Sequence, residues 1–594
     1  MKSFSHSSRH ILVLELTVIF VITSFTACQN KQLLFKPKSE TEVSDHNFEA
    51  FTDSVFLEEI TANTLNLHYS LENPKSFGIT DYPISLGNYS KSTRNSSETY
   101  LSQIKSELLT HSYHKLSLEN QLTFDILFDY LNTQISLCEY DLYQEPLSYS
   151  GGIQMELPIL FAEYDFQTKQ DVKEYLELIA LTDEYYAQIL EFEQEKSTAG
   201  LFMSAELCQA VIESCYAFLE DQDEHYLMTT FENRIKKLNL SKKETSAYIK
   251  KNEKILTEQL FPAYENMITE LKTLQHSGKN QKGLCYLPKG EDYYKLLVYS
   301  ETGCDDPLDE IFRKIELQRM NDLVICAALQ KEDETIFEQC NKLNFQMKDP
   351  DMMLQHLQKK ILSDFPVPPE STYEINYVDA ALEDYLAPAF YIVAPLDNYK
   401  ENTIYINKGQ VTDNLYAFTT LAHEGYPGHL YQTVMSYEYE LPEIRSILNC
   451  GGYTEGWATY IEMMSYGYAE IDDDIAAMLS HNQAATLSLY ASSDIGIHYY
   501  GWTKDDMLKF WSGYGISNAD IIDEITQLIL SEPGNYLKYY VGYIEFLELL
   551  DYAQSELGND FSLKEFHRTV LDIGPAPFAI LEKYFLEYYS SPQT

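Results

Sequence analysis

Basic residues are scarce in this 594-residue chain: 43 Lys and Arg stand against 91 Asp and Glu, a formal charge of −48. A surface that acidic repels phosphate backbones, which argues against nucleic acid as a partner. It repels anionic lipid headgroups as well, so membrane attachment needs a hydrophobic or covalent anchor. No C-x-x-C pair occurs among the nine cysteines, so a thiolate zinc site or a thioredoxin-type motif has no support. Internal repeats, low-complexity tracts and a linker that would separate two domains are all absent. The H-E-x-x-H signature, with histidines four apart on one helical face, is missing too. What is present is globular content: 45% hydrophobic residues, 48 Tyr and 29 Phe, in a chain long enough to bury a large core.

At the N-terminus, Lys2 and Arg9 precede the largely apolar run ILVLELTVIFVITSF, residues 11–25, and small Ala27 stands directly before Cys28. This is signal-peptide architecture. It resembles a bacterial lipoprotein signal, in which the cysteine becomes the lipidated first residue. Glu15 inside the run and Phe25 in place of the usual Leu depart from that pattern. The alternatives are an ordinary cleaved signal or an uncleaved anchor helix. Residues 1–28 are therefore expected to be a signal peptide, 29–47 a polar tether, and 48–594 one helical domain, exported and lipid-anchored to the membrane through Cys28.

Eight cysteines remain after Cys28. Cys208 and Cys215, seven apart in a helical pattern, are separated by about 10 Å along the axis and cannot join without breaking the helix. Cys285 with Cys304 could form a bridge, and buried free thiols are the other reading. From about residue 48 to 364 the pattern is amphipathic helix. Residues 171–195 space their apolar side chains by threes and fours, and so do residues 241–274, where Ser241 and Glu244 suit a capping box. Strand character is confined to TYEINYV (372–378), AFYIVAP (389–395) and NTIYIN (402–407), short runs rich in aromatic and branched residues. The fold class expected is mainly α, with a small β-sheet beside one central helix.

That helix holds AHEGYPGHLYQ, residues 422–432. His423 and His429 are six apart, and at about 100° per residue a regular helix points them in different directions. Zinc in a catalytic site takes three protein ligands of His and carboxylate type, with a further carboxylate nearby to accept a proton. The two histidines can serve only if the helix deforms. Pro427 lacks a backbone donor and biases Tyr426 away from helical angles, while Gly425 and Gly428 permit unusual dihedrals and close approach. The spacing predicts that two extra residues are looped out and the imidazoles brought together. Glu455 opens the helical stretch EGWATYIEMM, 26 residues after His429. A glutamate at that distance suits the helix-loop-helix of thermolysin-like zinc peptidases. The run Asn402–Asn407 is placed to be the edge strand along which such enzymes bind extended peptide. A pair of histidines packing a bent helix is the competing reading.

The chain resembles the bacterial domain-of-unknown-function family 885, whose members are similar to angiotensin-converting enzyme and the Taq-type carboxypeptidases. The resemblance rests on HEGYPGHLYQ, EGWATY, DIGIHYYGWT (494–503), PGNYLKYYVG (533–542) and FSLKEFHRTVLDIGPAPFAILE, and more weakly on GITDYP and GLCYLPKGEDYYKLLVYSETG. It covers nearly the whole chain after the signal. It implies a large helical, gluzincin-like zinc peptidase. His423, His429 and Glu455 would bind Zn2+, Glu424 would be the general base, and Tyr539 would donate a hydrogen bond to the developing oxyanion. Asn535 replaces the family's usual Gln, Tyr540 stands at a position often basic, and Leu528-Ile529 occupies the place of an expected Arg-Tyr pair. His498 is either a second oxyanion donor or a buried, hydrogen-bonded histidine, one turn from Asp494 on the same helical face. His567 reads as structural, and Trp457 as lining of core or cleft.

The expected function is hydrolysis of short peptides by an exported zinc metallopeptidase, carboxypeptidase or dipeptidase-like activity included. A carboxypeptidase needs a cation for the terminal carboxylate, and Lys538, Arg445 and Lys408 are near in sequence. The rivals are a non-catalytic peptide-binding lipoprotein and a metal-dependent hydrolase of a non-peptide amide or ester.

Overall fold

The structure, a computed structural model, describes residues 40–378, 383 and 386–590. The expected signal peptide, Cys28 and the tether up to residue 39 lie outside these residues. The remainder of the expected tether opens the helix Glu40–Ala62. Among the described residues no helix is long and apolar enough to cross a membrane. The described residues are mainly helical, with one small sheet.

Where the sequence shows one continuous assembly from residue 48 onward, contacts divide the described chain into two compact units. One comprises residues 40–120 and 134–281, and the other residues 121–133 and 282–590. Two of the three exchanges fall inside a single helix, Leu118–Leu137. A chain that changes unit within a helix needs no linker, so no Gly, Pro or Ser cluster marks the passage.

The unit of residues 40–120 and 134–281 packs helices around an aromatic core in which Phe166, Tyr175 and Phe231 stack edge and face. Residues 171–195 form two helices, Lys169–Ala180 and Thr182–Ala199, rather than one. The Thr182 hydroxyl donates to the Ile179 carbonyl at 2.7 Å, a local bond that competes with the helical ladder. Ser241 and Glu244 form the capping box that their spacing suggests. Within Thr182–Ala199, Glu193 and Lys196 are both fully buried. The Lys196 ammonium lies 2.5 Å from Glu145 but 4.0 Å from Glu193. All eight cysteines of the described chain are free thiols, Cys285 and Cys304 included.

The other unit carries the histidine motif. Its sheet has β1 (Thr372–Tyr377), β2 (Ala389–Ile392) and β3 (Glu401–Ile406) in the order β1-β3-β2. β3 runs parallel to β1 and antiparallel to β2. The run expected at the edge, Asn402–Asn407, is thus the centre of the sheet, and β2 is an edge. Alternating aromatic and branched residues mark a strand but not its neighbours. The elements around the motif are α1 (Gly290–Thr302), α2 (Asn414–Glu424), α3 (His429–Glu438), α4 (Gly451–Ser465), α5 (Asp473–His498) and α6 (Asn535–Leu557). α4 and α6 cross at glycines: a Cβ on Gly456 would strike the Gly542 backbone, and one on Gly542 would strike the Gly452 carbonyl. Two backbones this close place residues of both helices, Glu455 and Tyr539 among them, within one neighbourhood.

Candidate metal centre

Asp413 caps α2 by accepting from Leu415 N and Tyr416 N, and the helix ends on His423 and Glu424. Gly425, at φ −109° and ψ −100°, leaves the helical region. α3 starts afresh at His429. The motif is therefore two helices separated by Gly425–Gly428, not one helix with a loop thrown out. The break closes on itself: Gly428 N donates to Ala422 O at 3.0 Å and Tyr431 N to Gly425 O at 3.1 Å. Gly428 has no room for a side chain, because a Cβ there would collide with the His423 carbonyl. Pro427, with no N–H to satisfy, presents its carbonyl to the indole N–H of Trp457 at 2.9 Å.

The break turns the two imidazoles toward each other, with ring centroids 4.9 Å apart at 77°. Glu455, on α4, reaches between them. Its Oε2 lies 3.4 Å from His429 Nε2 and 3.7 Å from His423 Nε2. The ligand atoms of all three residues lie within 4.8 Å of one another, and all three residues are buried. Two ligands each about 2.05 Å from a tetrahedral zinc sit roughly 3.3 Å apart, so these separations suit a shared ion. Two imidazoles and one carboxylate are also the donor set of open zinc sites. The residues fit the metal.

Glu462, two turns beyond Glu455 on α4, faces the other nitrogen of His423, with Oε2 3.4 Å from Nδ1. A carboxylate behind a ligand histidine fixes the ring and leaves Nε2 to the metal. Glu462 lies in the helical stretch EGWATYIEMM but outside the motif EGWATY. The seven-residue interval from Glu455 was the available signal.

Glu424, fully buried beside its ligand neighbour, accepts a hydrogen bond from the main-chain N–H of Tyr391 on β2 at 2.9 Å. The sheet thus touches the candidate base through its edge strand. Tyr539, in the second turn of α6, is buried, and its ring lies 6.5 Å from that of His423 at 26°. Lys538 lies over the Tyr539 ring at 5.4 Å. The other two cations are engaged elsewhere: Arg445 is buried and donates to Pro575 O at 2.6 Å, and Lys408 sits on the Tyr377 ring at 3.5 Å.

Both ring nitrogens of His498 are held by main-chain groups. Nε2 donates to Ile529 O at 2.9 Å and Nδ1 accepts from Leu284 N at 3.2 Å. Burial lowers its pKa to about 4. A neutral ring with no nitrogen left to offer is a poor oxyanion donor, which corrects that half of the sequence reading. Its neighbour Asp494 is not bonded to it but to Tyr294 and Gly534. His567 is structural as expected, stacked on Phe365 at 3.9 Å, with Nδ1 donating to Asp364 O at 2.7 Å and Nε2 accepting from the Tyr460 hydroxyl at 3.0 Å.

A second cluster, Cys304, Asp306 and Glu545, already holds a cation. The Lys314 ammonium is 2.5 Å from Asp306 and 3.0 Å from Glu545.

A family described as a bacterial protein of unknown function (DUF885) matches residues 73–584. No curated protein matches the chain. Among solved structures, a "putative lipoprotein" from Colwellia psychrerythraea superposes with a TM-score of 0.82 at 18% identity, over 92% of this chain and 99% of its own. A "putative lipoprotein of unknown function" from Shewanella oneidensis gives 0.62 at 16% identity, over 93% and 100%. At such identities the likeness speaks to the fold.

Proposed function

The chain belongs to the bacterial DUF885 family, and on that premise we propose that it is an exported zinc-dependent metallopeptidase acting on short peptides. One observation carries the reading: His423, His429 and Glu455 converge within 4.8 Å, next to a buried glutamate that the sheet holds in place. Two histidines with a glutamate from a later helix are the donor set that supports a gluzincin-like reading, with the break at Gly425–Gly428 standing where an H-E-x-x-H site has one continuous helix.

His423 Nε2, His429 Nε2 and Glu455 would hold the zinc, which supplies Lewis acidity when bound. Glu424 takes the proton of the attacking water and returns it to the leaving amine. The Tyr391 N–H keeps that carboxylate oriented between the two transfers. Tyr539 donates its hydroxyl proton in a hydrogen bond to the developing oxyanion. Glu462 holds His423 in the tautomer that leaves Nε2 to the metal. His498, with both ring nitrogens engaged by main-chain groups, is given no role in this mechanism.

The deciding experiment screens the purified protein against a peptide library, with and without a chelator. Cleavage that the chelator abolishes and zinc restores is expected. Binding without cleavage would make it a peptide-binding lipoprotein, and cleavage only of non-peptide amides or esters would move it to another hydrolase class. Export and anchoring through Cys28 belong to the same proposal, supported by the basic start, the apolar run and the Ala27-Cys28 junction. A fatty-acid analogue should label the wild type and not Cys28→Ala.

A further inference from the structure

Asp494 is fully buried on α5 and is shared between two other helices. Its Oδ1 accepts from the Tyr294 hydroxyl of α1 at 2.5 Å. Both its oxygens accept from the main-chain N–H of Gly534, at 3.1 and 3.0 Å. Gly534, at φ +84°, is the residue on which α6 begins, and it has no side chain with which to cap that helix. The carboxylate of another helix does so instead, at the end where the helix dipole favours negative charge. Five residues later the same helix presents Tyr539, whose ring lies over His423.

We infer that Asp494 is a positioning residue: it pins the first turn of α6 and thereby sets the Tyr539 hydroxyl over the metal-ligand cluster, without touching that cluster itself. The inference rests on the peptidase reading for its effect on turnover, but not for the clamp. A flexible first turn would let the hydroxyl drift, and a misplacement of about 1 Å can cost roughly 10²-fold. His498, on the same helix, is not the agent, because its own nitrogens are bound to Ile529 and Leu284.

The ionisable groups around Asp494 fix the direction of its pH response. Burial raises its pKa to about 7, Glu301 of α1 adds to the rise, and the bonds from Tyr294 and Gly534 oppose it. Tyr294 of α1 and Tyr536 of α6 are held neutral by burial next to it, and His498 is held neutral on α5. Asp494 therefore gains its charge as pH rises through about 7. The ionised form offers both oxygens to Gly534, while the protonated form has given one of them to a proton. The clamp tightens with rising pH.

The test uses the zinc-loaded full chain and Asp494→Asn, which keeps the shape and one carbonyl acceptor. Zinc content and KM should stay near wild type, and kcat should fall about 10- to 100-fold. The acid limb of kcat with a midpoint near 7 should disappear from the variant. Asp494→Asn combined with Tyr539→Phe should be no slower than Tyr539→Phe alone, because both act through one hydroxyl. Losses that multiply, or a kcat equal to wild type, overturn the inference. Amide exchange over residues 534–540, read by mass spectrometry, should be faster in Asp494→Asn, and unchanged exchange overturns the clamp. If the wild type cleaves no peptide the peptidase reading falls, and the exchange measurement still decides the clamp.

Discussion

The indole N–H of Trp457 donates a 2.9 Å hydrogen bond to the carbonyl oxygen of Pro427. It ties α4, which carries Glu455, to the break that brings His423 and His429 together. One buried side chain thus holds in register the two segments from which all three candidate ligands come.

Glu424→Gln keeps the size of the side chain but cannot take a proton. Zinc content and peptide binding should be retained, and turnover should fall by at least a factor of about 10² to 10⁴. Steady-state kinetics with elemental analysis measure both. Wild-type turnover in this variant would remove Glu424 from the mechanism.

Tyr539→Phe removes the hydroxyl of a ring whose centroid lies 6.5 Å from that of His423. The expected loss is about 10² to 10³ in kcat, with KM little changed. Full activity would sink the oxyanion assignment while leaving the metal site standing.

His429→Ala should strip the protein of most of its zinc, since an open site has no spare protein ligand. Glu462→Gln should be milder, because it removes only the carboxylate behind His423. A loss of about 10- to 100-fold in zinc affinity is expected, read by competition with a metal indicator. Equal affinities in wild type and Glu462→Gln would deny the supporting role.

Gly428→Ala forces a methyl against the His423 carbonyl. Overpacking of this kind costs about 1–3 kcal/mol, and here the strain falls on a ligand. Lower Tm and weaker zinc binding should appear together. Normal zinc affinity would show that the break can widen without moving the histidine.

Glu193 in the other unit gives a pH test of stability. Burial pushes its pKa well above the ordinary carboxylate range. A carboxyl so raised is protonated in the fold and ionised in the unfolded chain at neutral pH. Its stabilising effect is therefore lost progressively as pH climbs from about 4.3 toward the folded value. Glu193→Gln carries no such proton. Its Tm should fall less than that of wild type between roughly pH 5 and 8, and parallel curves would mean that Lys196 keeps Glu193 ionised.

The helical class, the strand segments and the interruption at Gly425-Tyr426-Pro427-Gly428 were legible because each rests on local chemistry: periodicity, β-branched content, and backbone groups that cannot continue a helix. The convergence of Glu455 with the histidines was suggested by spacing, and the structure brings the three together. Strand order was not legible, since β3 looks the same in sequence whether it has one neighbour or two. Glu462 was hidden among 91 acidic residues, and only the fold shows which of them stands behind His423. His498 sat in a suggestive motif, yet its nitrogens meet carbonyl and amide groups of residues 529 and 284, partners that no side-chain pattern reveals.

Because the chain changes unit inside the helix Leu118–Leu137, neither unit can be released by a single cut. A fragment beginning at Lys282 would carry every candidate ligand and look, on paper, like a minimal enzyme. It would lack residues 121–133, and with them Asp129, which accepts from Tyr299 at 2.6 Å, and Asp125, which accepts from Tyr584 at 2.8 Å. Truncation, domain swapping between relatives and fusion at that boundary all meet the same obstacle: the gene is linear where the unit is not, and a continuous stretch that contains this whole unit runs from residue 121 and carries residues 134–281 with it.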